Sequence, residues 1–326
     1  MALKGIRKLQ TAAVILYGAA FLLFWVVVLF QRQFARLYSY DSEVLNQWVF
    51  PWMSFVPLVV SLLVSILFLV LCFSLKTAKG SRVSVIVLLI APFVFSYLVM
   101  PVVNRVYTQV LNHYSSNAYL ASYSIVINVV SLSVSPLLLA GSLLMGMAMG
   151  GFYGINPSGQ ESRGAVTLKG ARILQVVSVC LLGLALVLIL ALTAGQDRVI
   201  RLFGAPDDLT RYRTVPWDTL ISLALIAVPA VIWLAALFKG RGTARGVVIL
   251  AAILFGVLSL VCFFLSIAVT VIYSRLYDSY TVASYSILRY AVEILTDPLS
   301  GAAVTLMLFS LGGYYGKQLP SGKELP

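Results

Sequence analysis

The chain alternates between long apolar runs and short polar segments. Eight apolar runs cover residues 11–30, 55–75, 83–103, 128–152, 173–194, 218–238, 246–272 and 290–312. A helix needs about 20 mainly apolar residues to cross a bilayer. A spanning strand would alternate apolar and polar positions over about ten residues, and these runs do not. Without water to bond the backbone, each span must satisfy its own amides and carbonyls, as a helix does. The pattern predicts an all-α polytopic membrane protein with eight transmembrane helices. Lys4, Arg7 and Lys8 precede the first run, as in a signal peptide. That run is longer than a usual apolar signal region, and no small-residue cleavage site follows it.

The polar positions reveal an internal duplication. Residues 4–52 match 169–217 without a gap at an offset of 165. KGIRKLQ at Lys4–Gln10 returns as KGARILQ at Lys169–Gln175, Gln31 pairs with Gln196, and Pro51-Trp52 pairs with Pro216-Trp217. Residues 121–154 match 283–316 at an offset of 162. ASYSI at Ala121–Ile125 returns at Ala283–Ile287, and GGFYG at Gly150–Gly154 returns as GGYYG at Gly312–Gly316. The expected organisation is a four-helix repeat at 1–154, a polar linker at 155–168, a second four-helix repeat at 169–316 and a tail at 317–326. Four is even, so the tandem copies share one orientation, related by an axis along the membrane normal.

Composition narrows the class. Of 326 residues, 61% are hydrophobic and 10% charged, which excludes a soluble globular enzyme and a disordered chain. The net charge is +12, and its distribution sets topology. One set of loops and the two termini hold all eight lysines and 14 of the cations, against Glu161 and Glu324. The opposite loops hold eight arginines and seven acids. The positive-inside rule places both termini in the cytoplasm, and the cell membrane is the expected location. No separate basic domain exists, so nucleic acid is not an expected partner. The lipid bilayer is one, with a homo-oligomer or a second membrane protein as the other candidates.

The first outer loop of each repeat, 31–54 or 196–217, carries an Arg-Leu-aromatic step and ends in Pro-Trp. It reads either as interfacial packing on the membrane or as a lid. The third and fourth helices look too long for a core of about 30 Å. The hairpins 104–127 and 273–290 therefore project as a polar cap, or the helices tilt.

A polar stripe marks the fourth helices. Ser124, Asn128, Ser131 and Ser135 fall on one face. Their counterparts are Ser286, Tyr290, Glu293 and Asp297. Arg289 stands four residues before Glu293, the spacing of a helical ion pair. Ionisable groups in a span usually face a bundle interior or a wet cavity. Asp297, Glu293, Arg289, Tyr290, Asn128, Ser131 and Ser135 are thus candidates for an ion or solute pathway. The competing reading is a salt-bridge network near the outer interface that fixes helix packing. Pro136 and Pro298 would each free a carbonyl one turn earlier. Gly146, Gly150 and Gly154, and Gly312 and Gly316, line helix faces that permit close packing with a helix of either copy or of a second protomer.

Enzyme chemistry finds little to work with. His113 is the single histidine, the three cysteines lie in apolar runs, and no nucleophile elbow or phosphate loop occurs. No cofactor, metal or catalysis is expected. Two readings remain. One is a transport or channel-type protein for an ion or a small, cationic solute. The other is an assembly or sensor subunit acting through its outer cap and glycine-lined faces. The stripe thins beyond Pro298 to Ser300, Thr305 and Ser310, which counts against the first.

Overall fold

The computed structural model describes residues 3–39, 41–74, 78–153, 168–202, 207–239 and 245–316. The tail 317–326, Gly154 and the linker 155–168 apart from Leu168 lie outside them. Among the described residues there is no strand, and eight helices are long and apolar enough to cross a membrane.

The chain divides into two compact units, Met1–Ser162 and Arg163–Pro326. The first contains α1 (Leu3–Leu29), α2 (Gln31–Ala35), α3 (Ser42–Asn46), α4 (Trp52–Phe73), α5 (Ala78–Val94), a π-helical turn (Phe95–Val99), α6 (Met100–Tyr114) and α7 (Asn117–Tyr153). The second contains α8 (Leu168–Ala194), α9 (Gln196–Leu202), a 3-10 turn (Asp207–Arg211), α10 (Trp217–Phe238), α11 (Arg245–Leu276) and α12 (Ser279–Gly316). Within unit 1, α1 packs along α7 and α4; within unit 2, α8 packs along α12 and α10, and α11 along α10.

Helix lengths explain the polar ends of the fourth helices. α7 has 37 residues and α12 has 38. At a rise of about 1.5 Å per residue each is roughly 55 Å long, against a hydrocarbon core of about 30 Å. Thr281 donates its backbone N–H to Asp278 Oδ1 at 2.6 Å at the start of α12. That bond holds the exposed Asp278 carboxyl below its ordinary pKa. Pro136 and Pro298 both sit inside unbroken helix. The visible irregularity is elsewhere: the third span of unit 1 passes through the π turn, where the Met100 amide reaches back to the Phe95 carbonyl. Pro101 follows directly and has no N–H to offer Tyr97, so the widened turn relieves the register. This span, Val83–Leu111, is the least buried of the eight.

Polar residues at matching positions tie helices together in the same way in each unit. Arg7 Nε donates to the Cys72 carbonyl at 3.1 Å, and Arg172 Nε to the Leu237 carbonyl at 3.0 Å. Both carbonyls belong to the last turn of the second span, where helix carbonyls lack partners and cations are favoured. The guanidinium groups also lie over Phe73 and Phe238. Gln10 Nε2 donates to the Ser65 carbonyl and Gln175 Nε2 to the Ala230 carbonyl, each at 2.7 Å. Phe68 meets Phe152 edge-on, and Trp233 meets Tyr314. The KGxRxLQ signature is therefore an inter-helix clasp.

A second clasp closes the other end. Val49 N–H donates to Gln31 Oε1 at 3.1 Å, and Thr214 N–H to Gln196 Oε1 at 3.0 Å. Gln196 Nε2 also donates to the Tyr212 carbonyl and to Ser284 Oγ, each at 2.8 Å. Gln31 Nε2 is buried without a partner among the described residues. Replacing each by Leu is expected to cost about 2–3 kcal/mol at Gln196 but about 1 kcal/mol at Gln31. Thermal unfolding in detergent reads the difference, and equal losses would contradict this account of the clasp.

Other matching positions differ between the units in complementary fashion. A Cβ on Gly141 would come within 3.1 Å of the Tyr17 ring, whose hydroxyl shares a 2.8 Å hydrogen bond with Ser142. At the matching positions unit 2 has Ala303 and Leu182. Gly141→Ala is expected to destabilise by about 1–3 kcal/mol through overpacking. Adding Tyr17→Leu should recover part of the loss. Gly18→Ala, with nothing within 4 Å, is expected to be neutral or stabilising. A Gly141→Ala variant as stable as the parent would refute the close approach.

Candidate functional site

The loop-facing ends of the two units are built from different chemistry. In unit 1 that end is aromatic. Phe24, Trp25, Phe50 and Phe55 pack with centroids 5.2–6.0 Å apart, over a core of Val27, Val28, Val126 and Val130. In unit 2 the matching positions are Ile189, Leu190, Val215 and Leu220. An ionic network stands near them instead.

That network centres on Asp218, in the first turn of α10 and 2% exposed. An acid is favoured there by the unpaired amides and the helix dipole. Asp218 Oδ1 accepts a 2.7 Å bond from the Tyr285 hydroxyl. Its Oδ2 lies 3.2 Å from Arg289 Nε and accepts a 3.4 Å bond from Ser266 Oγ. Arg289 Nε also donates to Glu293 Oε1 at 2.7 Å, and its Nη2 donates to Ser266 Oγ at 3.0 Å. One guanidinium thus serves two carboxylates and joins α10, α11 and α12. The three charged groups carry one net negative charge.

Asp297 is the next acidic position on that face of α12, one turn beyond Glu293. It is exposed on its own unit, and no hydrogen bond or ion pair to its carboxylate is found among the described residues. Two contacts set its level. Ser178 Oγ bonds the Ala303 carbonyl, and Gln196 bonds Ser284, so α8 and α12 run antiparallel. Asp297 lies six residues, about 9 Å, from the Ser178 contact toward the loops. Arg289 lies about 21 Å along, near the end of α8. Asp297 is therefore level with the apolar interior of α8, whereas the Arg289 network is at its rim.

The sequence-predicted site residues separate accordingly. Arg289 and Glu293 come together, joined by Asp218, Tyr285 and Ser266, which periodicity alone did not single out. Asp218 looked like one more loop acid, although its place within the first turn of an apolar span was a usable signal. Tyr290 is half-buried on the same helix. In unit 1 Asn128 is exposed, and Ser131 and Ser135 are half-buried. These three lie at the margin of the unit's packing, off the buried Val126, Val129, Val130 and Val134 face. Gly146, Gly150 and Gly312 are buried. No group of three His, Cys, Asp or Glu side chains arranged to hold a metal occurs among the described residues. Comparison with protein-family models, curated proteins and solved structures gives no match to this chain.

Proposed function

We propose that this integral membrane protein moves an ion or a small cationic solute past Asp297 and Glu293, without catalysing a reaction. The observation that carries this reading is the Asp297 carboxylate, level with apolar span and without a protein counter-charge bonded to it. A charged group at that depth costs several kcal/mol unless a cation, a proton or water accompanies it. The neighbouring network has already committed its one arginine to Asp218 and Glu293. In unit 1, Asn128, Ser131 and Ser135 are the neutral counterparts.

The proposal includes two tandem copies of one four-helix unit in the same orientation, with both termini in the cytoplasm of a cell membrane. The clasps at matching positions support common descent, and the lysine distribution supports the orientation. Purified protein in liposomes, assayed for proton, sodium, potassium and small ammonium flux, tests the function. Flux above that of protein-free vesicles is expected, and none with any of these cations would refute the reading.

One observation favours the second reading, a non-catalytic partner subunit. Beyond Pro298 the hydroxyls turn back on the protein. Ser300 bonds the Asp297 carbonyl, Thr305 the Gly301 carbonyl, and buried Ser310 the Ala171 carbonyl. A flux-negative protein that co-purifies stoichiometrically with one other membrane protein would establish that reading instead.

A further inference from the structure

A separate surface is formed by the short helices that follow the first span of each unit. α2 and α9 each begin one residue after a spanning helix ends, at Phe30 and Gly195, and the next span opens with Trp52 or Trp217. Each short helix is fixed to its unit by one buried face: Gln31 and Ala35 in α2, Gln196, Val199 and Ile200 in α9. The glutamine bonds to Val49 and Thr214 lock that attachment. The opposite face must then point outward. It carries Arg32, Arg36 and Leu37 in unit 1, and Arg198, Arg201 and Leu202 in unit 2.

The two leucines occupy matching positions and are the two most exposed large apolar side chains among the described residues, Leu202 at 84% and Leu37 at 77%. Trp48, also in the unit 1 loop, is 64% exposed. Exposed leucine beside arginine, on a short helix that begins directly after a span's end, matches the boundary where phosphates overlie acyl chains. The eight cations on this set of loops are all arginine, although lysine and arginine both occur elsewhere. Arginine's planar fork can grip a phosphate with two parallel hydrogen bonds, which lysine cannot.

We infer that these faces are phospholipid docks: Arg36 in unit 1 and Arg198 with Arg201 in unit 2 bind lipid phosphodiesters, while Leu37 and Leu202 insert among the acyl chains beneath. The docks hold each loop flat at the headgroup level beside the entrance to the next span.

Spin labels at Leu37→Cys and Leu202→Cys, with Cys72, Cys180 and Cys262 replaced by Ala, test insertion in phosphatidylcholine vesicles containing phosphatidylglycerol. The labels are expected to collide with oxygen and to be shielded from a water-soluble nickel reagent. Nickel access equal to that of a label at Asp197→Cys, or shielding from both reagents as under a protein partner, would overturn the proposal. Native mass spectrometry of Arg36→Gln/Arg201→Gln, with the cysteines intact, tests the phosphate contact even if the cysteine-free protein fails to fold. Retained phosphatidylglycerol is expected to fall at least about fivefold. Retention equal to the parent protein would overturn it.

Discussion

Replacing Asp218 by Met will destabilise unit 2 by about 3 kcal/mol, the lower end of the range for breaking a buried ion pair. The substitution copies what unit 1 already has, since Met53 stands at the matching position. In unit 2 the change removes the Asp218 acceptor of the Tyr285 hydroxyl, on a side chain 3% exposed, and takes one carboxylate from Arg289. Glu293 still pairs with Arg289, which keeps the cost from being larger. Asp218→Asn retains an acceptor for Tyr285 and is expected to cost less, about 1–2 kcal/mol. Arg289→Ile alone leaves two acids near each other and is also destabilising. Ile127 is its counterpart in unit 1. Because the two residues touch, the double variant is expected to be more stable than the sum of the single losses implies, by about 1 kcal/mol or more. Denaturation of the four proteins in one detergent measures this coupling. Strict additivity, or no loss for Asp218→Met, would show that the network does not bind the three helices together.

The spans were legible because the bilayer demands long apolar runs and interrupts them only with polar loops. The pairing of Arg289 with Glu293 was legible because helical geometry brings residues four apart together. Asp218 was not, since nothing in periodicity says which helix will present its first turn to α12. The KGxRxLQ signature stood out as a repeat, but its role did not. A sequence shows that Arg7 and Gln10 recur as Arg172 and Gln175; only the packing of α1 on α4 and of α8 on α10 shows what they bind. The glycines tell a similar story. Their spacing marks one small-residue face of a helix, whereas the burial of Gly146, Gly150 and Gly312 depends on the fold. The π turn was hidden as well, because Pro92 and Pro101 are compatible with a kink, a break or a smooth helix.

Asp297→Asn will lower flux through the reconstituted protein at least about tenfold, equivalent to about 1.4 kcal/mol of lost stabilisation of the permeating cation. The substitution keeps shape and hydrogen-bonding capacity but removes the charge and the exchangeable acid proton. Stability is expected to change little, because among the described residues no group bonds that carboxylate. The contrast with Asp218 is informative: one acid mainly holds helices together, the other leaves its charge available. Glu293→Gln falls between them, since Glu293 neighbours Asp297 yet is tied to Arg289. Asp297→Glu retains the charge and is expected to keep part of the flux. The decisive measurement is the initial flux of whichever cation the parent protein carries, through liposomes holding equal amounts of parent and Asp297→Asn protein. A tenfold or greater loss in a variant that unfolds at the parent temperature is the expected result; undiminished flux through Asp297→Asn would contradict the central claim.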